Sequence, residues 1–295
     1  VYCPVRAGRK ACQTWVLKEN QGVQPGADEM ADIIHRHHVV QRGQGQRPMV
    51  FSHGFGCDQQ MLRFVAPAFE ADHRVIVFDH IGCGRADITA YDDVRHAQIE
   101  GCAEDVNALL EALDLRDVIF VGHSVSAMIG VLAAIAKPER FSQLALVCPS
   151  PRYLNDPPAY TGGFSRADID GLFDLMESSP QGWASFLAPV VMGGESPPEL
   201  TDELKASFCA SDPYITRRFA QAVFLSDHRH VLQQCTVPSL ILQSGTDAIA
   251  PPTVGQFMHA QLPNSTLVLT DTVGHCPHLT DPALTIETLR RHLGG

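Results

Sequence analysis

The chain has 295 residues, 45% of them hydrophobic and 19% charged, with a formal net charge of −11. That length allows one large domain with an insertion, and that composition excludes a disordered chain. The acidic balance, with a pI near 5.6 and no clustered basic stripe, argues against nucleic acid. No apolar run approaches the roughly 20 residues that cross a bilayer, so no membrane partner is expected.

Taken in order, the first 29 residues are rich in Gly, Gln and charge and lack hydrophobic periodicity. They hold no apolar core of the kind a signal peptide carries. Met30 reads as the natural start, so residues 1–30 are expected to be a disordered or artefactual N-terminal extension. "HRHH" at 35–38 sits in an alternating stretch that suits an exposed strand edge. No carboxylate or thiol cluster accompanies it, so no metal is predicted, and no cofactor.

From there, short β-branched runs alternate with helical spacing. "HHVVQR" and "RPMVFSH" read as strands, followed by a helix over about Gln60–Glu70, then the strand "HRVIVFD". A helix is predicted from Ile99, Cys102, Val106, Leu109, Leu110 and Leu113, then the strand "DVIFVG", the helix "SAMIGVLAAIA" and the strand "FSQLALVCP". "FDHIGCGRAD" carries G-x-G after a strand but lacks the third glycine of a dinucleotide site, so Asp79, Gly82 and Gly84 read as turn residues. This rhythm predicts an α/β fold, a mainly parallel twisted sheet flanked by helices.

After Pro151 the rhythm breaks. Residues 151–227 show helical stretches rich in aromatics between Pro/Gly clusters, and the sheet pattern resumes at "VPSLILQ" and "STLVLT". The expected organisation is a sheet-and-helix core of residues 31–150 and 228–295 with a helical lid inserted at 151–227. The nine cysteines include no C-x-x-C pair, which favours reduced thiols and a cytoplasmic location.

"GHSVS" nearly spells the strand–turn–helix pattern G-x-S-x-G, with Ser126 in place of the second glycine. The turn needs small residues on both sides of the serine; Gly122 supplies one, and Ser126 reads as a tolerated second. A serine hydroxyl needs a base, and a neutral imidazole needs a carboxylate to fix its tautomer. Asp247 in "SGTDAIAPP" and His275 in "VGHCPHL" each follow a predicted strand, giving the order nucleophile, acid, base. Asp271 and Asp281 lie too near His275 in sequence and read as turn or capping residues; His123 and His278 rank below His275 as the base. "SHGFGCD" after a strand offers the Phe55 N–H, with the Val125 N–H, as an oxyanion hole. Phe164, Trp183, Phe186, Phe208 and Phe224 of the insertion are expected to line an apolar pocket above the serine.

These residues resemble the α/β-hydrolase fold. "GHSVSAMIG", "CPSPRYLNDPPAYTGGF", "FLSDHR" and "GHCPHLTDP" resemble more narrowly its RsbQ-like branch, which includes bacterial stress-response regulators and the related plant strigolactone and karrikin receptors. The resemblance spans roughly residues 35–293. It implies Ser124, Asp247 and His275 as a triad, a four-helix lid, and a small hydrophobic ester or lactone as ligand. For the bacterial regulators it also implies a signalling role with a partner phosphatase. Leu62 stands where that branch carries tryptophan, and Ala86 where it carries serine. Two functions are therefore expected from one site: a serine hydrolase of small apolar esters or lactones, or a ligand-sensing regulator with slow or single-turnover hydrolysis.

Overall fold

The computed structural model describes residues 27–194 and 196–293. The expectation of an N-terminal extension falls almost wholly outside them. What is described begins with helix α1 (Ala27–Arg36), where no helix is predicted. Ile33 and Ile34 of α1 pack against the core. The "HRHH" stretch is accordingly not a strand edge: α1 runs through Arg36, and the buried His37 places Nδ1 3.0 Å from the Asp79 carbonyl oxygen. Strand β1 is confined to Val40–Arg42.

β2 (Arg47–Ser52) and β3 (His73–Val77) follow. The helix predicted between them is two 3-10 turns instead, Gln59–Leu62 and Ala66–Phe69. Their bonds run three residues back, as from Val65 N–H to Leu62 O and from Glu70 N–H to Pro67 O. Pro67 enters the second turn without an N–H to give, so no α-helical ladder can run through the segment. Next come α2 (Ile99–Ala112), β4 (Val118–His123), α3 (Val125–Ala136) and β5 (Phe141–Val147). The span from β5 to the next strand holds α4 (Arg166–Ser178), α5 (Pro180–Met192), α6 (Pro198–Ala210) and α7 (Pro213–Phe224). The chain closes with β6 (Ser239–Thr246), α8 (Pro252–Gln261), β7 (Ser265–Val273), α9 (Pro277–Thr280) and α10 (Pro282–Leu293).

Among the described residues, seven strands form one sheet in the order β1-β3-β2-β4-β5-β6-β7, with β1 antiparallel and the rest parallel. Period-2 alternation divides the side chains between two cores. Val50, Ile76, Phe120, Leu144 and Leu146 face α2 and α3. Met49, Phe51, Val75, Ile119, Val121 and Ala145 face Leu62, Val65, Phe69 and, on α10, Leu289 and Leu293. All six residues of β4 are buried, which is why "VIFVGH" reads as a continuous apolar run. Asp79 is the turn residue its context predicts: its two carboxylate oxygens accept from the Gln59 and Arg85 N–H groups, each at 2.9 Å.

The helices between β5 and β6 start on local signals. Ser165 and Asp168 form a reciprocal capping box at α4, and Asp212 caps α7 through the Ile215 N–H at 3.1 Å. Pro198 and Pro213 open α6 and α7, where the missing N–H has no helical partner to lose.

Candidate active site

β4 ends in a sharp turn at the carboxyl edge of the sheet. Ser124 has φ 57° and ψ −123°, a conformation that side chains other than glycine rarely adopt. The crowding that forces small neighbours is measurable: a Cβ on Gly122 would lie 2.4 Å from the Ser126 carbonyl oxygen. The strain lifts the Ser124 side chain off the end of the strand, towards the loops that follow β6 and β7.

Those loops supply two groups in line with it. His275 Nε2 lies 2.7 Å from Ser124 Oγ, and His275 Nδ1 lies 2.7 Å from Asp247 Oδ2. Asp247 is fixed by the Ile249 and Ala250 N–H groups, which donate to its Oδ1 at 2.8 and 3.0 Å. The network assigns the tautomer: Nδ1–H donates to the carboxylate, leaving Nε2 to accept from the serine. All three side chains are buried. The His275 loop is docked by its backbone, with the His275 N–H donating to Val191 O of α5 at 2.7 Å and the Gly274 N–H to Thr246 O at 2.8 Å. Gly274 cannot be replaced in this docking, because a Cβ there would sit 2.1 Å from Met192 O.

The rival residues have other work. His123 Nε2 donates to the His275 carbonyl oxygen at 2.8 Å, and its ring lies 4.3 Å from that of His278, centroid to centroid. Burial, followed by the neighbouring His278 and His275, pushes His123 well below its ordinary pKa. Burial likewise takes His278 down to about 3. Both imidazoles are therefore neutral packing groups. Asp281 accepts from the Leu284 N–H at the start of α10, a capping role, whereas Asp271 is exposed within β7 and caps nothing. Among the described residues, two groups could bring three ligand atoms to a metal ion: His123, Cys276 and His278, and Cys148, Asp247 and His275. In the first, His123 Nε2 is spent on a carbonyl; in the second, Asp247 and His275 are spent on each other.

Above the serine, Phe55, Tyr153, Leu187, Val191, Phe208 and Phe224 are among the residues that line a cavity of about 30 Å³. Among the described residues, its lining carries no Lys, Arg, Asp or Glu. Of the aromatics expected here, Phe208 and Phe224 line the cavity. Trp183 stacks behind Phe208 at 4.9 Å between centroids, and Phe164 meets Phe224 edge-on at 6.0 Å. Phe186 does not belong to the pocket: it is 60% exposed. Trp183, Leu187 and Val191 repeat at i, i+4 and i+8 and form the buried stripe of α5, which puts residue 186 about 100° off that face. The same spacing counted from Trp183 would have found Leu187 and Val191.

Tyr153 was missed by sequence reasoning. Its hydroxyl lies 3.2 Å from Ser124 Oγ, and burial raises its pKa, so it stays protonated beside the serine. Phe55 lines the cavity and sits among Trp183, Phe208, Phe219 and Phe224, with centroids 5.6 to 6.2 Å away, which fixes its side chain in the loop after β2. Val125 opens α3, so its N–H has no acceptor within the helix.

A serine hydroxyl in line with an imidazole and a buried carboxylate can be deprotonated as it attacks. Comparison with known proteins agrees with this chemistry. A family model described as the alpha/beta hydrolase fold matches residues 47–282. The chain is 38% identical over 265 residues to the Karrikin insensitive 2 receptor CA of Petunia hybrida, covering 90% of this chain and 98% of the relative. It is 34% identical over 252 residues to the strigolactone esterase D14 of Arabidopsis thaliana, covering 85% and 94%. Among solved structures it is similar to olei00960, a hydrolase from Oleispira antarctica, with a TM-score of 0.87 and 43% identity over 89% of this chain and 96% of that one.

Proposed function

The chain belongs to the α/β-hydrolase fold family, and from that premise we propose that it is an esterase-like serine hydrolase acting on small, uncharged, hydrophobic esters or lactones. The observation that carries this reading is the Ser124–His275–Asp247 hydrogen-bonded chain at a strained strand-to-helix turn. Ser124 Oγ attacks the acyl carbonyl as its proton passes to His275 Nε2, and Asp247 holds the resulting imidazolium. The Phe55 and Val125 N–H groups take the charge that develops on the carbonyl oxygen. His275 returns the proton to the leaving oxygen; then it activates a water that clears the acyl group. Without a charged side chain in the lining, a carboxylate-bearing substrate would lose its hydration uncompensated, so neutral esters are preferred.

The 151–227 segment serves as the lid. A cavity of about 30 Å³ admits little more than water, so α4–α7 must part to admit an ester. Val191 on α5 bonds the His275 backbone, so lid movement reaches the base directly.

That coupling, together with similarity to proteins named as receptors, favours a second reading, a ligand-sensing regulator whose slow hydrolysis reshapes the lid for a protein partner. By the resemblance to the RsbQ-like branch that partner would be a stress-response phosphatase. The buried thiols Cys57, Cys83, Cys102, Cys148, Cys235 and Cys276 are free and suit the cytoplasm. No helix among the described residues is long and apolar enough to cross a membrane.

Pre-steady-state kinetics with 4-nitrophenyl acetate separates the two readings. Sustained release of many equivalents of nitrophenol per protein is the expected result for the hydrolase. A burst of about one equivalent followed by a near-zero rate supports the regulator. Neither burst nor turnover would defeat both.

A further inference from the structure

Ser126 occupies the place where the elbow pattern carries glycine, and it is more than a tolerated small residue. Its side chain is fully buried and its hydroxyl donates to the His53 carbonyl oxygen. Ser52 Oγ lies 2.9 Å from Ser126 Oγ, His80 Nε2 lies 2.8 Å from it, and Ser52 and His80 are 2.9 Å apart. A carbonyl oxygen can only accept, so the Ser126 proton goes to His53. Ser126 Oγ must then accept from Ser52 O–H and His80 Nε2–H. The end of β2, the turn after β3 and the first turn of α3 thus meet on the Ser126 hydroxyl, which in turn holds the His53 carbonyl.

His53 passes this order to the oxyanion loop. Its Nε2 accepts from the His80 N–H at 3.1 Å, which leaves the ring proton on Nδ1. Nδ1–H donates to Gly54 O at 2.9 Å, and the Cys57 N–H reaches the same oxygen at 3.3 Å. The Gly54 carbonyl and the Phe55 N–H are opposite ends of one planar peptide, so tethering the oxygen aims the N–H. Gly54 cannot be enlarged within this arrangement, since a Cβ there would lie 2.7 Å from His123 Nδ1. Burial holds both His53 and His80 below their ordinary pKa, in keeping with two neutral rings of defined tautomer.

We propose that Ser126 and His80, acting through His53, are positioning residues that aim the Phe55 N–H at the oxyanion. The inference rests on Ser124 being the nucleophile of a hydrolase. Ser126→Ala removes the hydroxyl that donates to the His53 carbonyl; His80→Phe removes the Nε2–H that Ser126 Oγ accepts. Misaiming a donor should cost less than deleting one, about 10- to 100-fold against the roughly 10²–10³ of a deletion.

The test measures 4-nitrophenyl acetate hydrolysis and inhibition by phenylboronic acid, whose tetrahedral adduct needs the same hole. In both variants kcat/KM is expected to fall by about 10- to 100-fold, with the boronate Ki weakened by a matching factor. Ser239→Ala is the control, because its buried hydroxyl donates to Val237 O at the opposite end of the sheet; it should leave both values unchanged. Unchanged kcat/KM in Ser126→Ala, or a fall with no change in boronate affinity, overturns the proposal while leaving the hydrolase reading intact. A wild-type protein that neither hydrolyses the ester nor binds the boronate removes that reading, and this one with it.

Discussion

Asp247→Asn is expected to lower kcat for ester hydrolysis by about 10⁴-fold while leaving the fold in place. The size of the effect follows from the groups around the carboxylate. Its Oδ1 receives the Ile249 and Ala250 N–H groups, so an asparagine must put its carbonyl oxygen there and turn its NH₂ towards His275. An N–H facing Nδ1 reverses the tautomer: the imidazole proton moves to Nε2, the atom 2.7 Å from Ser124 Oγ. A protonated Nε2 cannot take the serine proton. Steady-state kinetics with a circular dichroism check of folding measures this, and a loss below tenfold would mean that Asp247 does not orient the base.

The second large effect separates chemistry from strain at the elbow. Ser124→Ala and Ser124→Gly are each expected to lower kcat by about 10⁴-fold or more, since neither has a nucleophile. Their stabilities should differ. At φ 57° an alanine keeps the steric cost of its Cβ, and a glycine does not. Ser124→Gly should therefore be more stable than Ser124→Ala by about 1 kcal/mol in urea unfolding, although glycine ordinarily loses to alanine through chain entropy. The reverse order would show that the turn holds no strain.

Most of the architecture can be read from the chain because its signals are local. A buried parallel strand such as β4 is a continuous apolar run, and the helices around it announce themselves through spacing such as that of Ile99, Cys102, Val106 and Leu109. Ser124, Asp247 and His275 stand out because each lies just past the end of one of the parallel strands of a single sheet, so all three emerge at the same edge. What escapes is set by distant partners. Ser126 looks like a passive stand-in for glycine because Ser52 and His80, which use its hydroxyl, lie 74 and 46 residues away. Tyr153 reaches Ser124 across 29 residues from a segment without regular structure. Phe186 misled for the opposite reason: composition placed it with the other aromatics, while helical phase turned it outward. The stretch at 59–69 has helical composition, but Pro67 decides its hydrogen bonding.

The receptor and hydrolase readings part over turnover and partner, not over the first covalent step. Both require Ser124 to form a bond with an acyl-like electrophile while His275 accepts its proton. The most direct measurement is therefore reaction with a fluorophosphonate probe followed by mass spectrometric mapping of the modified peptide. The expected result is one adduct per chain, located on Ser124 and lost in Ser124→Ala. An adduct on another residue, or labelling that persists in Ser124→Ala, would contradict the assignment of this site.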